Sequence, residues 1–146
     1  MTAAPRTAIL AAALAVSGMA LAGETAAPEG AKAYFVNLRD GAAVSSPVRV
    51  VFGLRGMGVA PAGTQRANTG HHHLLIDRPP LGEGAEGELN APLPADDHHR
   101  HFGGGQTETV LDLPPGEHSL QLVLGDKSHV PHEPPVASRV ITITVE

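Results

Sequence analysis

Histidine is the residue type in this chain that is best placed to do chemistry. The sequence has nine histidines and no cysteine, and eight of the nine fall into three short clusters, 71–73, 98–101 and 129–132. The neutral imidazole is the commonest metal ligand in proteins. A site of several imidazoles without thiolate suits copper, zinc or nickel better than an iron–sulfur centre. The clustering therefore predicts a metal site.

Alternation along a β-strand separates the three consecutive histidines. In an extended segment, His71 and His73 share one face with Cα atoms about 6.5–7 Å apart, and His72 points to the opposite face. Two imidazoles at that spacing can close on one metal ion, so His71 and His73 rank above His72. The candidate ligands are His71, His73, His101, His129, His132 and Met57.

The last cluster and the methionine are candidates for separate reasons. His129 and His132 flank Val130-Pro131, and a loop stiffened by proline loses less entropy when it grips a ligand. The thioether of Met57 is soft and favours Cu(I). Packing of Met57 beneath its own loop is an equal alternative.

The other histidines have simpler interpretations. His98 and His99 lie in a polar segment, where a solvated side chain is the default. His118 follows a Pro-Pro-Gly turn, and we expect it to cap that corner by hydrogen-bonding nearby backbone, as a tyrosine does in immunoglobulin-like sandwiches. Some carboxylates could orient the imidazoles by hydrogen-bonding to the ring nitrogens that do not bind the metal. The candidates are Asp77, Asp96, Asp97 and Asp126.

The elements that must position these residues are short and of β type. Apolar runs alternate with Gly/Pro turns, and no helical period is present. An immunoglobulin-like antiparallel β-sandwich of about seven strands is expected. A long Gly- and Pro-rich stretch is either a functional loop or contains a further short strand near Gly87–Ala91. The predicted strands are Ala31–Asn37, Val48–Leu54, His71–Asp77, Gln106–Leu113, Glu117–Leu124 and Ala137–Val145.

Strand parity predicts that the histidine clusters meet. Successive strands of an antiparallel sandwich run between two ends of the domain. If one short strand lies within residues 79–105, all three clusters and Met57 reach the same end, and His118 lies at the other. With no such strand, the middle cluster would have to arrive by a loop that runs along the domain.

The N-terminus and the composition limit the classes of function. Residues 1–22 are predicted to be a secretory signal peptide, with Arg6, the apolar run Ile9–Val16 and a small-residue cleavage site at Ala20–Ala22. A flexible leader at 23–30 and a single domain at 31–146 follow, without a membrane span after cleavage. We therefore expect a periplasmic or secreted protein. A net charge of −5 argues against nucleic-acid binding.

Several segments resemble a family of exported bacterial domains known only as domain of unknown function 4399. The segments are Gly56–Gly63 (GMGVAPAG), Gly70–Asp77 (GHHHLLID), His101–Glu108 (HFGGGQTE), Leu113–His118 (LPPGEH) and His129–His132 (HVPH). The resemblance implies an exported, stand-alone domain and supplies no activity. The layout is also similar to periplasmic β-sandwich copper carriers, which bind copper through His and Met at one end. That likeness is architectural analogy alone.

Three functions fit these observations. The first is a periplasmic copper carrier, buffer or chaperone that hands its ion to a metal-acceptor protein, with zinc as the alternative metal. The second is a small metal-dependent hydrolase or redox enzyme, in which Asp77 or Glu108 serves as the acid–base group. The third is a metal-free envelope interaction module whose histidines support loops or sense pH.

Overall fold

The structure, a computed structural model, describes residues 25–146. The predicted signal peptide at 1–22 lies outside the described residues. Within the described range the chain forms nine strands and one short 3-10 helix, Glu88–Asn90. The strands are β1 Lys32–Phe35, β2 Ala42–Val44, β3 Val48–Arg55, β4 Gly58–Val59, β5 Thr69–Ile76, β6 His99–His101, β7 Glu108–Leu111, β8 Gly116–Gly125 and β9 Ile141–Val145.

The strands assemble into two sheets that pack face to face. The smaller sheet has the order β1-β3-β7, and the larger has the order β2-β9-β8-β5-β4 with β6 also paired to β5. Alternating apolar residues line the space between the sheets. Val50 and Leu111 come from the smaller sheet, and Leu122 and Ile143 from the larger; all four are buried. The architecture is therefore all-β and sandwich-like, as the apolar alternation predicts.

Strand number and pairing differ from the sequence prediction. Two of the pairings, β2 with β9 and β4 with β5, are parallel, whereas about seven antiparallel strands were expected. The segment Gly87–Ala91 is not a strand, because Gly87 has a φ of 78° and opens the 3-10 helix. The additional strand is β6, which occupies part of the free edge of β5. The immunoglobulin-like assignment stays a prediction.

The start of the described chain is joined to the C-terminal half. The sequence predicts a flexible leader at 23–30. In the structure, the amide of Ala27 donates to the carbonyl of Glu133 at 3.0 Å, and the amide of Glu133 donates to the carbonyl of Thr25 at 2.9 Å. These bonds place Thr25 beside the loop that follows β8.

His118 fixes the end of β5 to the start of β8. Its Nδ1 lies 2.7 Å from a carboxylate oxygen of Asp77, and its Nε2 lies 2.8 Å from the carbonyl oxygen of Pro114. The second oxygen of Asp77 accepts the amide of Ser119 at 2.9 Å. The predicted backbone-capping role of His118 is confirmed. Its pKa is raised by the hydrogen bond to Asp77 and then by the bond to Pro114.

This pair makes stability depend on pH in a defined direction. A raised folded pKa means that the stabilisation is fully present below the ordinary value of 6.5 and is lost as pH rises through the folded value. We expect His118→Gln to cost about 1 kcal/mol at pH 5.5, a value discounted because Asp77 is partly exposed. At pH 8.5 we expect the cost to be smaller.

Urea denaturation of the native protein and the variant at both pH values measures this difference. Asp77→Asn serves as the matched control, since it removes the same pair from the other side. If the difference in unfolding free energy between the native protein and His118→Gln is the same at both pH values, the assignment of a raised pKa to His118 would be contradicted.

Candidate metal centre

Strand β5 carries its histidines on both faces of the larger sheet. His72 points into the core, where its ring centroid lies 5.2 Å from that of Phe52. His71 and His73 point to the opposite face, as alternation along the strand predicts. Leu75 shares that outer face and packs there with Leu93 and Val123 in a separate small apolar cluster.

Strand β6 brings His101 beside His73. The two strands pair antiparallel, and His101 is directly opposite His73 in the register. Directly opposed residues point to the same face of a sheet, so the imidazole of His101 joins the outer-face group. Its ring centroid lies 5.0 Å from that of His73 and 5.0 Å from that of His71.

His129 completes the group from the loop after β8. Its Nδ1 lies 3.0 Å from Nε2 of His71, and its ring centroid lies 4.6 Å from that of His101. The residue has a φ of 69°, in the left-handed region that side chains other than glycine rarely adopt. The loop therefore holds His129 in a backbone conformation that directs its imidazole toward the sheet.

The four imidazoles form a compact nitrogen-donor set. One ring nitrogen from each of His71, His73, His101 and His129 lies within 4.8 Å of the others. Nε2 of His73 is 3.1 Å from Nε2 of His71. His71 and His73 are buried, His129 is half-buried and His101 is exposed. Such a group could hold a metal ion with one side open to solvent.

The electrostatics of the group favour neutral rings. Burial, and next the neighbouring imidazoles, lower the pKa of His71 to about 4 and that of His73 to about 2. Burial and the nearby His129 also lower the pKa of His101. At neutral pH these rings therefore keep the lone pairs that a metal requires.

Gly125 leaves the space that the group occupies. It lies opposite His71 in the pairing of β5 with β8. A Cβ atom at this position would meet Nε2 of His73 at 2.8 Å and Cα of His129 at 3.4 Å. The absence of a side chain at residue 125 thus allows the His73 ring to lie against the strand.

Two of the sequence-predicted ligands lie elsewhere. His132 is buried, and its two ring nitrogens lie 3.3 Å from the carbonyl oxygens of Leu124 and Thr69. Met57 is half-buried in the turn before β4. The structure thus brings four of the six candidates together, and a ligand role for His132 or Met57 stays a prediction.

His99 is the residue that sequence reasoning missed. The expectation that it is solvated is wrong, since it is fully buried with both ring nitrogens unpartnered among the described residues. Its ring centroid lies 5.4 Å from that of His73, and burial lowers its pKa to about 4. The alternation of His99 with His101 was the available signal. His98, by contrast, is exposed, with Nδ1 3.1 Å from the carbonyl oxygen of Ile76.

The expected carboxylate partners are distributed differently. Asp77 pairs with His118, and Asp96 pairs with Arg78. The Nδ1 atoms of His71 and His73 have no hydrogen-bond partner among residues 25–146. The rings are therefore oriented by strand register and packing rather than by carboxylates behind them.

Comparison with known proteins identifies the family. The chain belongs to the family described as a domain of unknown function (DUF4399), whose model matches residues 50–146. The matched range contains all four histidines of the group. No curated protein and no solved structure matches the chain. In residues 25–146, no helix has the length and apolar character needed to cross a membrane.

The close approach of His73 to residue 125 generates a stability prediction. We expect Gly125→Ala to destabilise the metal-free protein by about 1–3 kcal/mol, because the His73 ring is buried and cannot move far from the added methyl group. Urea denaturation in the presence of a chelator measures the change. Most of the cost should disappear in a His73→Ala background, because that variant removes the nearest atoms.

Gly58→Ala is the matched control for this experiment. A Cβ atom at Gly58 would meet Cγ2 of Thr69 at 3.7 Å, an ordinary contact. Equal costs for Gly125→Ala in the native and His73→Ala backgrounds would show that the ring does not set the requirement for glycine.

Proposed function

We propose that this protein is an exported metal-binding protein that carries or buffers copper in the periplasm. The ligands are His71, His73, His101 and His129. One observation carries the proposal: four imidazole nitrogens from three separate segments lie within 4.8 Å of one another. Nε2 of His71 lies within hydrogen-bonding distance of both His73 and His129. In a neutral ring this one nitrogen is either a donor or an acceptor, so bonds between the rings satisfy only part of the group. A cation placed among the rings satisfies several lone pairs at once.

The chemistry of the donor set supports copper ahead of zinc. The group is built from nitrogen donors, and the chain has no cysteine to provide a thiolate. Among divalent first-row ions, Cu(II) binds a given nitrogen site most tightly. Zinc is the alternative, because four-coordinate nitrogen sites also suit that ion.

The unequal exposure of the ligands supports a carrier or buffer. His71 and His73 are buried, whereas His101 is exposed on the outer side of the group. A partner protein that approaches from this side could replace His101 while the inner ligands still hold the ion. The proposed partner is a periplasmic metal-acceptor protein, and the proposed location rests on the predicted signal peptide at 1–22.

Metal titration of matched variants tests the proposal. We expect the native protein to bind one copper ion, and His101→Ala to lower its affinity by more than about 100-fold, because even indirect partners of ligands contribute about 10–100-fold. His101 is exposed, so its removal should leave the fold intact. His98→Ala is the control, since this residue is exposed but lies outside the group.

Two results would redirect the proposal. Tighter binding of zinc than of copper in the same titration would assign the site to zinc. Weak binding of several ions, unchanged in His101→Ala, would contradict a specific site and favour the metal-free interaction module.

Binding should also stabilise the fold. A ligand that binds only the native state adds about 2.7 kcal/mol at a free concentration of 100 times its Kd. We expect copper to raise the free energy of unfolding by this amount in the native protein, and by much less in His101→Ala at the same ion concentration. Chelator should reverse the effect. Equal stabilisation of both proteins would indicate binding away from the four histidines.

A further inference from the structure

We propose that Asp126 positions His129 and, through its buried negative charge, makes the four-histidine site prefer divalent over monovalent ions. This inference rests on the proposed metal binding and names a residue outside the ligand set. Asp126 is 3% exposed and lies directly after Gly125, at the end of β8.

The positioning role follows from the hydrogen bonds around the turn at 126–130. One carboxylate oxygen of Asp126 accepts the amides of Ser128 at 2.8 Å and Val130 at 3.0 Å. The backbone of the same residue receives the amide of His129 at 2.9 Å and donates to the carbonyl of Val130 at 2.8 Å. Asp126 thus forms hydrogen bonds with His129 and with the residues on both sides of it, and these bonds close the turn that carries His129.

This closure is needed because His129 has an unfavourable backbone conformation. A residue other than glycine at positive φ costs on the order of 1 kcal/mol or more and persists only when its surroundings enforce it. A further bond, from the amide of Leu93 to the carbonyl of His129 at 2.8 Å, holds the turn from outside. Together these bonds place Nδ1 of His129 3.0 Å from Nε2 of His71.

The charge of Asp126 follows from its surroundings. Its second carboxylate oxygen accepts the hydroxyl of Thr25 at 2.6 Å, and a carboxylate that accepts several hydrogen bonds is held in its ionised form. Burial by itself raises the pKa of Asp126, but the bonds from Thr25, Val130 and Ser128, together with the nearby His132, give a net lowering.

This negative charge lies close to the ligands. The carboxylate of Asp126 accepts the amides of the residues on both sides of His129. The residue before Asp126, Gly125, lies against the His73 ring and Cα of His129. The field of the carboxylate therefore attracts a cation held by the four histidines. Coulomb energy is proportional to the charge of the ion. If removal of the charge lowers the affinity for a monovalent ion by some factor, the affinity for a divalent ion should fall by the square of that factor.

Asp126→Asn separates charge from geometry. The amide oxygen can still accept the amides of Ser128 and Val130, and the amide nitrogen can donate to the hydroxyl oxygen of Thr25. We expect the affinity for Cu(II) to fall about tenfold and that for Cu(I) only about threefold, measured by competition with chelators. Asp112→Asn is the control, because it makes the same charge change at an exposed residue beside Asp77 and His118.

A second variant keeps the proposal falsifiable if Asp126→Asn does not fold. Thr25→Val removes one hydrogen bond but leaves the carboxylate and its charge. We expect the ratio of Cu(II) to Cu(I) affinity in Thr25→Val to equal that of the native protein. A ratio that falls about threefold in this variant would overturn the assignment of the preference to charge.

The remaining outcomes separate this inference from the proposed function. Equal losses for both ions in Asp126→Asn, or no loss for either ion, would overturn the charge preference. Asp126→Ala removes the acceptor of the Ser128 and Val130 amides as well as the charge. Affinities in Asp126→Ala that are no lower than in Asp126→Asn would overturn the positioning of His129. A native protein that binds neither ion would overturn the proposed function together with this inference.

Discussion

The register of β5 is the constraint on which both the core and the candidate site depend. Seven of its eight residues are buried, with β8 on one side and β4 and β6 on the other. Side chains alternate along the strand, so Leu74 and Ile76 enter the core while His71 and His73 point to the outer face. A slip of one residue would exchange these two sets. The apolar core therefore fixes the orientation of the imidazoles.

The outer-face histidines are held at an energetic cost. An unsatisfied buried polar group costs about 1–3 kcal/mol, and the Nδ1 atoms of His71 and His73 and both ring nitrogens of His99 have no partner among the described residues. Burial lowers the pKa of each of these rings, which avoids the larger cost of a buried charge. His72 on the core side of β5 is also buried with both ring nitrogens unpartnered among the described residues, so unsatisfied nitrogens by themselves do not distinguish the group. What distinguishes His71 and His73 is that their ring nitrogens converge with those of His101 and His129 within 4.8 Å. This convergence is the strongest physical argument that the group has a function.

The loop after β8 supplies the ligand that the sheet cannot provide. Strand pairing brings together His71, His73 and His101, but these lie on one surface and cannot surround an ion. His129 approaches from the loop after β8, and its turn is closed by Asp126. Gly125 provides the space beneath this contact. The site thus combines a rigid platform with one ligand on a hydrogen-bonded turn, which is a common division between scaffold and functional loop.

The sequence by itself determined the all-β class, the inward face of β5 and the shared face of His71 and His73, because strand alternation is a local property of the chain. Strand parity also predicted that the clusters would meet if one short strand lay within residues 79–105. The strand in that range is β6, His99–His101, and not a strand near Gly87–Ala91. Only the tertiary structure decided that 99–101 is a strand, which buries His99 and sets His101 opposite His73. It also decided that His132 faces backbone carbonyls while His129 reaches the group. These outcomes depend on pairing between segments far apart in sequence, and no local pattern encodes which segment occupies the free edge of a strand.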